Sequence, residues 1–287
     1  MVYVMGALLL KRASDLGADV WRTTRIINYA SAAASLALLP LGGHIPAASS
    51  WWQPPAAAIL FFAGQVFTLL ALNTGDVSVA TPVLGIKILL VALLTTVLIG
   101  DPLGARLWTA AGLSTLAIAL LNIDRGHPHS RVGRTIVLAA LGAAAYASFD
   151  VIIQKFSSTW GTGRILPIVM VIGAVYSIPL RYFSRAEVSR RADLQVSPRA
   201  YRPWLFAGAA CFAVQGLMFI TTISIWRQAT TANILYSSRG LWSVVGVWAI
   251  GHWFVNREQH LGAKVLVWRL LGAVLMMAAI AMVLLSR

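Results

Sequence analysis

Two basic residues stand in sequence that is apolar on both sides, Lys87 in PVLGIKILLVALLTTVLIG and Arg239 in NILYSSRGLWSVVGVWAI. An ammonium is a point charge with three donors, and a guanidinium is a planar fork that matches a carboxylate or a phosphate. Brought together, the two could clamp an anionic group. A lone cation near the bilayer centre costs roughly 2.5–3.5 kcal/mol on insertion scales, so such a residue is kept where it meets a partner, water or a solute. Lys87 follows Pro82 and Gly85, which loosen a helix and can leave carbonyls unpaired toward a cavity.

Polar neighbours extend the candidate site. Tyr236 and Ser243 share a helix face with Arg239, while Asn233, Ser237 and Ser238 crowd beside it and Trp242 follows within one turn. Gln65, Thr68 and Asn73 on one segment, and Gln215, Thr221 and Thr222 on its counterpart, could orient a ligand or tie helices together. The substrate-binding candidates are therefore Lys87, Arg239, Gln65, Asn73, Tyr236, Ser237, Ser238, Asn233 and Trp242. Asp150, in AYASFDVIIQK, is the acid well inside an apolar run. It could pair with either cation, carry a coupling proton or sit at an interface. Asp76, in NTGDVSVA, reads as a helix N-cap.

The segments that must position these residues are legible from composition. With 59% hydrophobic and 11% charged residues, 287 residues cannot clothe a soluble core. The chain reads as an all-α polytopic membrane protein. Its net charge of +14 comes from arginine-rich hydrophilic connections, as expected at an anionic membrane surface rather than against nucleic acid. Cys211 is a lone cysteine in an apolar stretch, which leaves no disulfide framework and no thiolate metal site. His127 and His129 stand close together but without acidic or thiol company. No phosphate-binding Gly-rich loop and no Ser/His/acid spacing stands out, so no cofactor, metal or enzymatic activity is expected.

Apolar runs long enough to cross about 30 Å of hydrocarbon lie near 26–41, 55–73, 77–99, 107–123, 133–154, 165–182, 203–225, 230–254 and 264–285. The opening VYVMGALLLKRASDLGADVW reads as a short first helix, which makes ten spans. A shift of 152 residues superposes Gly64 on Gly216, Phe67 on Phe219, Ser78 on Thr230, Ala80 on Ala232, Lys87 on Arg239 and Leu89 on Leu241. Each half then reaches an acid, Asp101 or Glu258, and closes on a Gly-led apolar helix at Gly112 or Gly272. The halves are residues 1–125 and 133–287, with 126–132 as linker. Five spans per half is an odd number, so the repeats must be inverted, the usual build of secondary transporters around a midplane site.

Five plus five helices, a Lys ending the first helix and a Gly-Asp turn after the fourth resemble the EamA-type drug/metabolite transporter (DMT) superfamily, most clearly over residues 71–121. The chain departs from the family's Gly-Glu turn with Gly100-Asp101 and Arg257-Glu258. The resemblance implies ten helices, alternating access and a central cavity lined largely by helices three, four, eight and nine. Its members usually keep both termini in the cytoplasm. Here lysine and arginine collect after spans one, five, seven and nine, so by the positive-inside rule either both termini lie outside or the short first segment does not cross.

The expected function is secondary transport of a small metabolite by alternating access at the inner membrane of a bacterium. Anionic or zwitterionic solutes are the favoured class: carboxylates, amino acids or phosphorylated metabolites. Two alternatives stay open, an exporter of neutral or lipophilic compounds whose basic pair is internally neutralised, and a non-transporting scaffold on the same fold. Expected partners are the solute, a coupling proton or counter-substrate, and the lipid bilayer, with a homodimer left open.

Overall fold

In hydrocarbon no water is present to satisfy a backbone amide, so apolar runs of this length can form only helices unless they close into a barrel. The computed structural model describes residues 2–74, 77–121, 132–184, 198–239 and 263–285. Every regular element among them is helical. In chain order they are α1 (Val2–Asp15), α2 (Val20–Ser35), α3 (Gln53–Thr74), α4 (Val77–Gly85), α5 (Lys87–Leu94), α6 (Ala105–Leu121), α7 (Val132–Trp160), α8 (Thr162–Tyr176), α9 (Pro198–Trp226), α10 (Ala229–Ser237) and α11 (Ala263–Leu284). Among the described residues four helical stretches are long and apolar enough to cross a membrane, Ala48–Leu72, Val79–Ile99, Val132–Trp160 and Arg199–Trp226. Val97, Val137, Val175, Met218 and Val274 are exposed. Such a surface would aggregate in water and is suited to lipid.

The described residues divide into two compact units that draw on both sequence halves. The first takes its chain from Met1–Phe62 and Phe156–Ile225. Its α2 begins at an N-cap, Asp19, whose carboxylate accepts from the amides of Trp21 and Arg22. The helix tightens into a 3₁₀ turn over Leu36–Leu41 that carries Pro40, and stops at Gly42 and Gly43, both at positive φ. α2 and that turn pack on α8. The approach is backbone to backbone: the amide of His44 donates to the carbonyl of Trp160 at 2.8 Å, and a Cβ on Gly163 would stand 2.6 Å from the carbonyl oxygens of Leu38 and Gly42.

Trp160 lies near a span end, where interfacial tryptophans gather, but its ring is fully buried and donates through Nε1 to Gln53. α1 also runs past Lys11 and Arg12 to Asp15, so Lys11 lies within the helix instead of ending it.

The second unit takes its chain from Ala63–Lys155, Trp226–Val245 and Arg257–Arg287. Its main seam is α6 against α11, lined by Ala110, Ala111, Ala117 and Ala279, with Gly272 close under the Ala117 carbonyl. Small residues let two helices approach where lipid supplies no hydrophobic drive between them. Pro82 and Gly85 act as expected from the sequence. α4 ends at Gly85 and α5 starts at Lys87, with Thr115 donating from α6 to the Gly85 carbonyl at 3.4 Å.

Gly163→Ala is expected to destabilise the protein by about 2–3 kcal/mol, because backbone atoms must move to admit the methyl group. Gly112→Ala, in α6 with open space around it, is expected to be neutral or stabilising by up to about 1 kcal/mol. Thermal unfolding of the two variants in detergent checks the contrast.

Candidate functional site

A carboxylate that is 2% exposed needs donors, and Asp150 has two. Its Oδ2 accepts from Lys87 Nζ at 2.7 Å and from Asn233 Nδ2 at 2.7 Å. The sequence explains how three helices meet there. Tyr146, Asp150 and Gln154 lie four residues apart on α7 and form one polar stripe on an otherwise apolar helix. The ammonium of Lys87 stands 5.6 Å from the centre of the Tyr146 ring, within cation–π range. Gln154 Oε1 accepts from the Ala229 amide at 2.7 Å and so caps α10 from a neighbouring helix. One turn on, Asn233 reaches Asp150 while also donating to the Ala229 carbonyl at 2.9 Å. α7 and α10 are thereby pinned antiparallel at two points one helical turn apart.

Lys87 is the first residue of α5. A cation at that end gains nothing from the helix dipole, so its compensation comes from Asp150. The Lys87 side chain is 20% exposed, so the lysine end of the pair is the one that solvent or a solute can reach.

A cavity of about 220 Å³ opens one turn along the stripe. Gln154, Thr95, Asp101, Arg227 and Thr230 give it polar walls. The chain around it is irregular. A wide π-type turn over Thr95–Ile99 ends at Gly100 in the left-handed region, and Arg227 has φ 53°. Such backbone is tolerated at membrane depth where it lines a cavity or is buried in protein. At about 220 Å³ the space lies below the 300–1,000 Å³ of sites for drug-sized ligands. It suits a small polar solute, and Asp101 and Arg227 offer it both signs of charge.

The other expected site residues fall in several places. Arg239 is exposed, with its guanidinium 4.3 Å from the Tyr236 ring centre and Nη1 donating to the Tyr236 hydroxyl at 2.8 Å. It lies near enough to Lys87 for their charges to interact, but each holds its own partner, so the two do not form a clamp with both cations uncompensated. Ser237 is buried and donates to the Ile234 carbonyl, with Met276 Sδ at 2.8 Å. That hydroxyl serves packing. Ser238 follows at the end of α10, and Gln65 is partly buried on α3. Trp242 and the side chain of Asn73 lie outside the described residues, as do Asp76 and Glu258. Tyr146, Gln154, Asp101, Arg227 and Thr230 join the site without having been singled out for it from the sequence. The first two were findable, since a Tyr, an Asp and a Gln at i, i+4 and i+8 make one face of any helix.

No protein-family model matches the chain, and no curated protein matches it. Among solved structures 27 chains match. One, described only as "Crystal structure of protein", superposes with a TM-score of 0.67 at 13% identity, over 99% of this chain and 95% of that one. At that identity the likeness is one of fold alone.

Removing one partner of the buried pair strands the other. Lys87→Met and Asp150→Leu are each expected to destabilise by about 3–5 kcal/mol, and the double variant by clearly less than their sum. Unfolding of the four proteins in detergent measures the coupling, and additive losses would mean that the two charges do not interact.

Proposed function

We propose that the protein is a secondary transporter of a small net-neutral metabolite, zwitterionic in the first instance, which works by alternating access in a bacterial inner membrane. The proposal includes ten spans in two inverted five-helix repeats of the EamA type, as the likeness of residues 71–121 to that superfamily suggests. The observation that carries the solute class is the Lys87–Asp150 pair at 2.7 Å. An anion would have to displace Asp150 from Lys87 or rely on Arg239 alone. A zwitterion can meet both signs at once, its carboxylate toward the exposed end of Lys87 and its ammonium toward Asp150. The same complementarity recurs on the cavity walls with Arg227 and Asp101.

In this mechanism the ion pair is the resting state of the site. A solute that bridges Lys87 and Asp150 weakens their direct bond and with it the link between α5 and α7. A ligand shifts a conformational equilibrium only by its differential affinity for the two states. Loosening that link on binding supplies such a difference. The second reading, an exporter of neutral or lipophilic compounds, draws on the same neutralisation and differs in leaving the pair closed throughout the cycle.

The test is a thermal-stability screen of purified protein against zwitterionic, anionic, cationic and uncharged metabolites, followed by uptake of the hits into proteoliposomes. Zwitterions at a hundredfold excess over Kd are expected to stabilise the wild type by about 2.7 kcal/mol. Lys87→Met and Asp150→Asn should lose both that response and uptake. Stabilisation by anions alone, or hits that respond equally in both variants, would contradict the assignment.

A further inference from the structure

We propose that Arg22, Arg25 and Arg181 form a binding site for a phosphate group, carried either by the headgroup of an anionic phospholipid or by a free phosphate. The site lies in the first unit and does not depend on the transport reading. The three arginines line one cavity of about 390 Å³ together with Tyr29, Ile178 and Ser184. They come from chain segments more than 150 residues apart, the first two turns of α2 and the stretch just after α8.

Like charges converge at a cost unless something negative joins them. Among the described residues no ion pair involves these three arginines. The acid nearest in sequence to Arg22, Asp19, is engaged in capping α2. What the arginines do hold is neutral. Arg22 donates to the Tyr201 hydroxyl, and Arg181 donates to the Tyr182 hydroxyl at 2.7 Å with its guanidinium 4.7 Å from that ring's centre. A phenol fixes the direction of a guanidinium without cancelling its charge, and each fork carries five donors of which few are spent. Oriented forks from two segments, with no described acid against them, suit the oxygens of a phosphate, which several donors can share.

The surroundings suit a cavity at headgroup depth. Trp21 and Phe183 meet at 5.4 Å beside it with their rings tilted, and a Trp is favoured at a membrane–water boundary. Tyr29 and Ile178, at 44% and 40% exposed, continue its wall as apolar surface suited to an acyl chain. Basic pockets between membrane helices are a recognised way to hold anionic headgroups. This arrangement also agrees with the charge pattern of the sequence, in which the connections after the first and seventh spans are both arginine-rich.

The experiment follows the melting temperature of the full-length protein in detergent while dioleoyl phosphatidylglycerol, dioleoyl phosphatidylcholine or inorganic phosphate is titrated in. Phosphatidylglycerol is expected to raise it and phosphatidylcholine is not. A silent inorganic phosphate assigns the site to lipid, and an active one assigns it to free phosphate. Arg25→Gln/Arg181→Gln, which keeps the Arg22–Tyr201 bond, should weaken the apparent affinity roughly 25-fold, about a factor of five for each arginine. Arg106→Gln, an exposed arginine on α6, should leave it unchanged. If the double variant fails to fold, Arg181→Gln alone carries the test with its fivefold loss. The proposal is overturned if phosphatidylglycerol acts no better than phosphatidylcholine and phosphate is inert, or if the folded variants respond as the wild type does.

Discussion

A carboxylate and an ammonium that have left water must find each other, and much of the second unit is arranged so that Lys87 and Asp150 can. The helix break between Gly85 and Lys87 sets the lysine at the start of α5. Thr115 takes up the carbonyl that this break loosens. Asn233 supplies the second donor to Asp150, and it is in place because Gln154 caps α10 one turn away. Desolvating two charges costs several kcal/mol per ion, which a bare pair recovers only with good geometry and added hydrogen bonds. The 2.7 Å contact, the amide of Asn233 and the face of Tyr146 provide those conditions. An apolar trio of the same volume could hold three helices together as well. A charged one adds a junction that a polar solute can compete for.

The irregular backbone of the second unit gathers beside this pair. Thr95, which opens the turn over Thr95–Ile99, and Arg227, with its positive φ, both line the cavity that Gln154 also lines. A non-glycine residue in the left-handed region is strained by about 1–2 kcal/mol. Here it falls in the short connection ahead of α10 and sets Arg227 on the cavity wall. Strained backbone, polar walls and a stripe of side chains leading to an ion pair are consistent with a site built to receive a solute.

The sequence revealed the helices more readily than the partnerships. Apolar runs, the break after Pro82 and Gly85, and the turn at Gly100 were all legible, because each is decided within a few residues. Matching Lys87 to Arg239 by the repeat suggested a two-cation clamp, and the sequence left Asp150 able to meet either cation. Which charge Asp150 meets depends on how α5, α7 and α10 pack, over separations of 63 and 83 residues, and no spacing rule reaches that far. Trp160 misled for a related reason. Its position near a span end fits a belt, but the close crossing at Gly43, Gly161 and Gly163 encloses it. The stripe of Tyr146, Asp150 and Gln154 is the opposite case. It was present at helical spacing, but Tyr146 and Gln154 were not weighed together with Asp150.

The most direct measurement is the infrared spectrum of the carboxyl groups, taken as the difference between wild type and Asp150→Asn in lipid at neutral pH. An ion pair at the centre of the site predicts an ionised carboxylate that vanishes in Asp150→Asn and turns into a carboxylic acid in Lys87→Met. A protonated Asp150 in the wild type, or an ionised one that is indifferent to the loss of Lys87, would contradict the account.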